Sequence, residues 1–173
     1  GLCHESQLGN DLDLFGRFKH GLNLIWDKLQ SGRGYHWVRP FYIYGNDQRR
    51  DSLLPFIIRS YKTNIIPKLG NPVGCNDYIH VSDVARLLVY LLNRDTASGI
   101  INAGSGALFR NSDICEYVGM LASNDSRSSK FRFPEPSRDD GFYADMTMAR
   151  AIGFENKVSF EDGIRAMYEL TDL

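Results

Sequence analysis

Cysteine is scarce in this sequence: Cys3, Cys75 and Cys115 are far apart and odd in number, which argues against a disulfide framework and suits reduced thiols in a cytoplasmic protein. Metal-ligand spacing is also missing. His4, His20, His36 and His80 form no i, i+4 pair and have no thiolate or carboxylate partner at ligand distance along the chain, so no metal site is expected. Charge of one sign is absent too, since 20 Lys and Arg stand against 21 Asp and Glu for a net charge of -1. No global field recruits nucleic acid or an anionic membrane, and any anion must be met locally. The longest apolar runs are six residues, Leu53 to Ile58 counting Pro55, and Leu87 to Leu92, whereas a membrane-spanning helix needs about twenty. Gly1-Leu2-Cys3-His4-Glu5 contains no initiator Met, basic region or apolar signal core, so the chain reads as starting inside a longer sequence.

What is present is the composition of one compact domain, 43% hydrophobic and 24% charged, with helical and strand patterns alternating as in an α/β protein. Phe15, Phe18, Leu22, Ile25, Trp26 and Leu29 recur at helical spacing, and Ser31-Gly32 with Gly34 closes that helix. Trp37 to Tyr44 reads as a buried strand ending at Gly45-Asn46-Asp47. A helix follows, with Ser52 as cap and Pro55 in its first turn. Ile65 to Leu69 reads as a short strand, and Gly70 to Gly74 as a loop leading into Asp77-Tyr78-Ile79-His80-Val81. Ser82 is expected to cap the helix carrying Val84, Leu87, Leu88 and Leu91, with Asp83 near its positive end. Gly99 to Ala103 is a strand, and Ile114, Val118 and Leu121 mark a helix. Residues 123–129 read as a polar loop, and the alternation of Lys130 to Phe133 predicts a strand. Asp145 opens a helix that Gly153 ends, and Ser159 opens the last, with Ile164, Met167 and Tyr168 facing inward.

Several chemical motifs fail on inspection. Gly104-Ser105-Gly106 follows a strand but lacks the third glycine and the downstream acidic residue of a dinucleotide fingerprint, so a tight strand-to-helix turn is the better reading. G-x-S-x-G is absent around Ser105, which removes a serine hydrolase elbow. Asp139 and Asp140, beside Arg138, read as a solvated turn.

The stronger signal is a set of segments in fixed order: Asp11 to Lys19 opening a helix, Val38-Arg39-Pro40-Phe41-Tyr42-Ile43-Tyr44-Gly45, Ser52-Leu53-Leu54-Pro55-Phe56, Asp77 to Ala85, Ile101 to Gly106, and Ala144-Asp145 to Gly153-Phe154. Together they resemble the C-terminal half of extended short-chain dehydrogenases/reductases and, more narrowly, the NAD-dependent epimerase/dehydratase family that acts on nucleotide sugars. The resemblance covers nearly the whole chain. It implies the C-terminal part of a Rossmann-like parallel sheet with helices, plus a smaller substrate-binding region. Residues 1–50 would be a remnant of the dinucleotide-binding domain and 51–173 mainly the substrate region, with 77–106 returning to the sheet.

The same resemblance implies a Tyr-x-x-x-Lys pair, Tyr exchanging the proton of a sugar hydroxyl and Lys holding the nicotinamide ribose of NAD or NADP. The matching positions are Phe15 and Lys19. They share one helix face, but phenylalanine has no ionisable oxygen. The family's Ser or Thr falls at Leu2, with a shift of one or two possible in so short a segment, and His4 or Cys3 is an alternative proton donor. Pro40, Phe41 and Tyr42 would pass beside the nicotinamide. Tyr42 stands where the family often has Asn, and Asn76 where it often has Arg, both facing the nucleotide diphosphate sugar. Arg138 matches a phosphate-binding Arg, suited to bidentate contact, and Leu53, Leu54 and Lys68-Leu69-Gly70 would border the base. Each has a plainer reading: Lys19 an exposed helix lysine, Arg138 a surface loop arginine, Tyr42 a core aromatic, Phe15 part of the apolar core. The helix around 14–30 would also carry a homodimer. A hydride-transferring nucleotide-sugar enzyme and a non-catalytic relative that binds the sugar or supports a partner are both open.

Overall fold

The computed structural model describes residues 1–7, 13–29, 35–93 and 99–172. Helix α1 spans Leu14–Leu29. Asp13 starts it, its Oδ1 accepting from the Gly16 N–H at 2.7 Å. The expected closure at Ser31 to Gly34 lies outside the described residues. Strand β1 (Leu2–Cys3) precedes α1, strands β2 (His36–Pro40) and β3 (Tyr42–Tyr44) follow it, and α2 covers Leu53–Lys62. Strands β4 (Cys75–Asn76) and β5 (Tyr78–His80) lead into α3 (Val81–Leu92), after which come β6 (Gly99–Ala103), β7 (Phe109–Arg110) and α4 (Asn111–Ala122). The chain ends with β8 (Tyr143–Ala144), α5 (Thr147–Ala151) and α6 (Phe160–Leu170). The ladders β1–β8, β2–β6 and β3–β5 are parallel, and β4–β7 is antiparallel. This is an α/β fold with parallel pairing.

The expected single strand from Trp37 to Tyr44 is two. β2 pairs with β6 from His36↔Gly99 to Pro40↔Ala103, and β3 pairs with β5 from Tyr42↔Tyr78 to Tyr44↔His80. Phe41 is the switch: its N–H still reaches Ala103 O, while the Tyr42 N–H reaches Asp77 O. The strand forks between two neighbours at Phe41.

Three further expectations change. Ile65 to Leu69 forms no strand; Pro67 has no N–H to give a ladder, and Ile65 and Ile66 are exposed. Lys130 to Phe133 is not a strand either, because the polar segment before it winds into a 3-10 helix over Ser126–Lys130, capped by Asp125. Its alternation comes from one-sided packing, with Phe131 stacked on Tyr117 at 5.1 Å and Phe133 edge-on to Tyr117 at 5.4 Å. The cap of α3 is His80 rather than Ser82: its Nδ1 accepts from the Ser82 N–H. Asp83 is then free to turn inward, where its carboxylate accepts from the backbone N–H groups of Lys157 and Val158 and from Arg86.

Two larger apolar clusters and a small one of Cys75, Leu108 and Tyr143 hold these elements. One of the larger two gathers α2, α4 and α6 around Tyr44, Tyr78, Tyr117 and Phe160; the other packs α3 and α5 on β6 through Leu87, Leu91, Ile101, Ala149 and Phe154. Gly163 lets α6 approach β3, since a Cβ there would collide with the Tyr44 hydroxyl. Burial pushes the Tyr44 phenol far up and that of Tyr78 to about 12. A folded-state value above the unfolded one favours the neutral phenol, so this stability is complete below pH ~10 and is lost as pH rises through the folded values. Alkaline titration is expected to show, on top of the ionisation of exposed tyrosines such as Tyr42, a cooperative rise in tyrosinate absorbance from the buried phenols that coincides with loss of helical circular dichroism. Independent, gradual ionisation of the buried phenols without unfolding would contradict this packing.

Candidate functional site

The fork at Phe41 opens onto a cleft of about 710 Å³, lined by Leu2, Cys3 and His4 on one side and Pro40, Phe41 and Tyr42 on the other. Arg39 reaches across from β2 and donates to the carbonyls of Glu5 at 3.0 Å and Gln7 at 3.2 Å. It thereby fixes the segment after β1 as a wall of the cleft. Desolvation lowers the guanidinium pKa from its ordinary value, with Glu5 opposing the shift; the group remains charged at neutral pH. Asn102, buried on β6, braces the same wall from below through Nδ2 to Cys3 O at 2.8 Å.

A second cavity of about 620 Å³ contains Lys19, Gly16, His20 and Asn23 of α1 beside Trp37 and Val38 of β2. It shares Gln7, Arg39 and Pro40 with the first. The two spaces are therefore neighbours across Pro40. Two buried polar atoms in the second, His20 Nδ1 and Asn23 Oδ1, lack a hydrogen-bond partner among the described residues. That is an unusual cost for a folded protein unless a ligand or water meets them.

Phe15 and Lys19 stand as the i, i+4 spacing requires, with Lys19 Nζ 4.2 Å from the Phe15 ring centroid. Phe15 is 63% exposed rather than part of the core. Tyr42 likewise is not a core aromatic: it is 59% exposed, lines the cleft and leans on Tyr78 with ring centroids 5.7 Å apart. The substrate-side residues are spread out. Leu54 departs from a ligand-facing role, being 2% exposed because the turn of α2 points it into the helical core, while Leu53 is partly buried against that core. Asn76 donates to the Tyr78 hydroxyl at 3.4 Å. Arg138 is exposed in the loop before β8 and lines neither cleft. Lys68 to Gly70 is loop.

Sequence reading missed a pair at the cleft wall. The His4 Nδ1 lies 2.5 Å from Asp145 Oδ2, brought there because β1 runs parallel to β8 and the Asp145 N–H donates to Cys3 O. Asp145 Oδ1 accepts from the hydroxyl and backbone N–H of Thr147, which with His4 hold its carboxyl below the usual range. No sequence signal links positions 141 apart; only the short β1–β8 ladder does. Cys3 beside it is a poor alternative, since burial pushes its thiol up. Among the described residues no group of three or more His, Cys, Asp or Glu could hold a metal ion, and no helix is long and apolar enough to cross a membrane.

Comparison with known proteins agrees with this frame. The low-salt glycan biosynthesis protein Agl12 of Haloferax volcanii is 27% identical over 124 residues, covering 71% of this chain and 40% of that protein. A dTDP-glucose 4,6-dehydratase of Streptomyces griseus is 26% identical over 125 residues, covering 71% and 38%. The chain thus spans about two fifths of these relatives. Among solved structures, MoeE5 in complex with UDP-glucose and NAD superposes with a TM-score of 0.77 at 22% identity, covering 98% of this chain and 58% of that one. UDP-glucuronic acid 4-epimerase from Bacillus cereus in complex with NAD gives 0.77 at 20% identity, covering 98% and 55%. These likenesses show the fold. The model of the NAD dependent epimerase/dehydratase family matches residues 15–104, a stretch that holds α1, the forked strand and the return through β6, and on that match over half its length the chain belongs to this family.

Proposed function

We propose that this chain forms the nucleotide-sugar side of an NAD-dependent epimerase, dehydratase or reductase, with a nucleotide diphosphate sugar held between His4 and Tyr42. The observation that carries this reading is the fork at Phe41, which turns Pro40 to Tyr42 toward the end of β1 across a volume suited to a small ligand. Support comes from the fold neighbour complexed with UDP-glucose and NAD. The residues present fit one end of NAD: the Lys19 ammonium and the two unpartnered polar atoms suit ribose hydroxyls, and Pro40 offers a flat apolar surface for the nicotinamide. When bound, that group supplies the hydride acceptor. Arg138, exposed in the loop before β8, is the cation proposed for a diphosphate that extends beyond the cleft. The exposed Phe18, Trp26 and Leu29 of α1 support pairing with a second copy.

A non-catalytic, sugar-binding reading is favoured by one observation, the phenyl ring of Phe15 over which Lys19 sits. Calorimetric titration tests the reading common to both. UDP-glucose and dTDP-glucose are expected to bind, and Arg39→Met is expected to weaken the better of them by about tenfold, because loss of charged hydrogen bonds to Glu5 and Gln7 frees the cleft wall. Absence of heat with either nucleotide sugar removes the proposal.

A further inference from the structure

His4 is placed as a proton-exchanging histidine is placed. Its Nδ1 faces Asp145 Oδ2 at 2.5 Å, and its Nε2 has no partner among the described residues. The side chain is 46% exposed and lines the cleft opposite Tyr42. Asp145 is itself fixed from the far side by Thr147, through both N–H and hydroxyl, and its backbone is tied to β1 by the bond to Cys3 O. A carboxylate accepting at Nδ1 sets the neutral imidazole as the Nδ1–H form, leaving the Nε2 lone pair toward the cleft, and it stabilises the imidazolium once a second proton arrives.

We infer that His4, oriented by Asp145, is the group of this chain that exchanges a proton with a hydroxyl of the bound sugar. The inference deepens the nucleotide-sugar reading and rests on it. In the forward direction the sugar O–H bond breaks and an Nε2–H bond forms; the oxygen is left as an alkoxide and the imidazolium charge is balanced by the Asp145 carboxylate. The reverse transfer returns the proton to the oxygen. The position supplies what Phe15 cannot, from a different wall of the site. Among the described residues, ionisable groups near it include Glu5 and Cys3 on its own segment, Arg39 from β2, Tyr42 from β3 and Tyr143 from β8. Arg39 is committed to backbone carbonyls, and burial pushes the Cys3 thiol up. Among the described residues, Asp145 is the one carboxylate that holds the ring.

Nitrogen-15 NMR of the histidine-labelled protein, run beside calorimetry with UDP-glucose and with UDP alone, tests this. Free protein is expected to show His4 as a single Nδ1–H tautomer, and Asp145→Asn is expected to lose that preference. UDP-glucose is expected to shift the His4 Nε2 resonance whereas UDP leaves it in place. His4→Phe, which keeps a planar ring and the Thr147 contacts of Asp145, is expected to weaken UDP-glucose by about five- to tenfold with UDP binding unchanged. Heat from UDP-glucose with an unmoved His4 resonance overturns the role of His4 and leaves the binding reading standing. No heat from UDP-glucose overturns the binding reading and the role of His4 with it. A mixture of tautomers in the free protein overturns the orientation by Asp145 whether or not ligand binds.

Discussion

Asp77→Ala is expected to lower the unfolding free energy by about 3–4 kcal/mol, a large share of the 5–15 kcal/mol typical of a domain. Asp77 is fully buried, yet its carboxylate accepts from the Ser105 N–H and hydroxyl, the Gly106 N–H and the Ala144 N–H, at 2.7 to 3.0 Å. One side chain thus joins the end of β4 and start of β5 to the turn after β6 and to β8. Burial raises its pKa and those four bonds oppose the shift. Removing the carboxylate leaves the buried Ala144 N–H and the half-buried Ser105 and Gly106 N–H groups without their acceptor. Urea unfolding followed by circular dichroism reads the loss as a lowered midpoint at unchanged slope. Because Asp145 follows directly on β8, the variant is also expected to disorder the His4 orientation before it unfolds. A midpoint within 0.5 kcal/mol of the parent would show that Asp77 is not the tie that its contacts make it.

The helices were legible because their signals are local. The 3.6-residue stripe of α1, the Ser159 cap of α6 and the Gly153 stop after α5, with φ at +85, are all written within a few residues of where they act. Strand readings failed where the partner decides. Phe131 and Phe133 alternate, but the surface they face is Tyr117 and Phe160 rather than another strand. The fork at Phe41 is invisible in a run of apolar residues, since only the separate registers of β6 and β5 split it.

The site divides in the same way. Lys19 over Phe15 follows from i, i+4 spacing, and Pro40 to Tyr42 follow from the ordered segments around them. His4 with Asp145, and Asp77 with Ser105, join positions 141 and 28 apart. Such contacts carry no periodicity, so sequence could assign Asp145 a helix-opening role and Ser105 a turn but not what else their oxygens hold. Leu54 shows the converse: its segment was correctly placed, and the rotation of α2 then turned the side chain into the core.

Phe15→Tyr is expected to give the second large effect, a rise of about 10²-fold in nucleotide-sugar turnover with NAD present, the low end of what a positioned acid or base contributes because His4 already stands across the site. The reason lies in the present geometry. Lys19 Nζ sits 4.2 Å from the ring centroid, so a hydroxyl at the ring's edge falls within range of the ammonium, and an opposite charge at that distance favours the phenolate. At an exposed position the attraction is about 1 kcal/mol, which places the new phenol roughly half to one pKa unit below an ordinary tyrosine. The shift is expected to shrink in high salt and to vanish with Lys19→Met, whereas a loss of salt dependence would mean that Lys19 does not hold the phenolate. Tyrosinate absorbance, taken as the difference between variant and parent, reads the pKa; the rate against pH reads the chemistry. Lys19→Met in the Phe15→Tyr background is expected to return the rate to that of the parent. A lowered pKa with no gain in rate would instead mean that a proton at residue 15 was never what the site lacked, and that the transfer belongs wholly to His4 and Asp145.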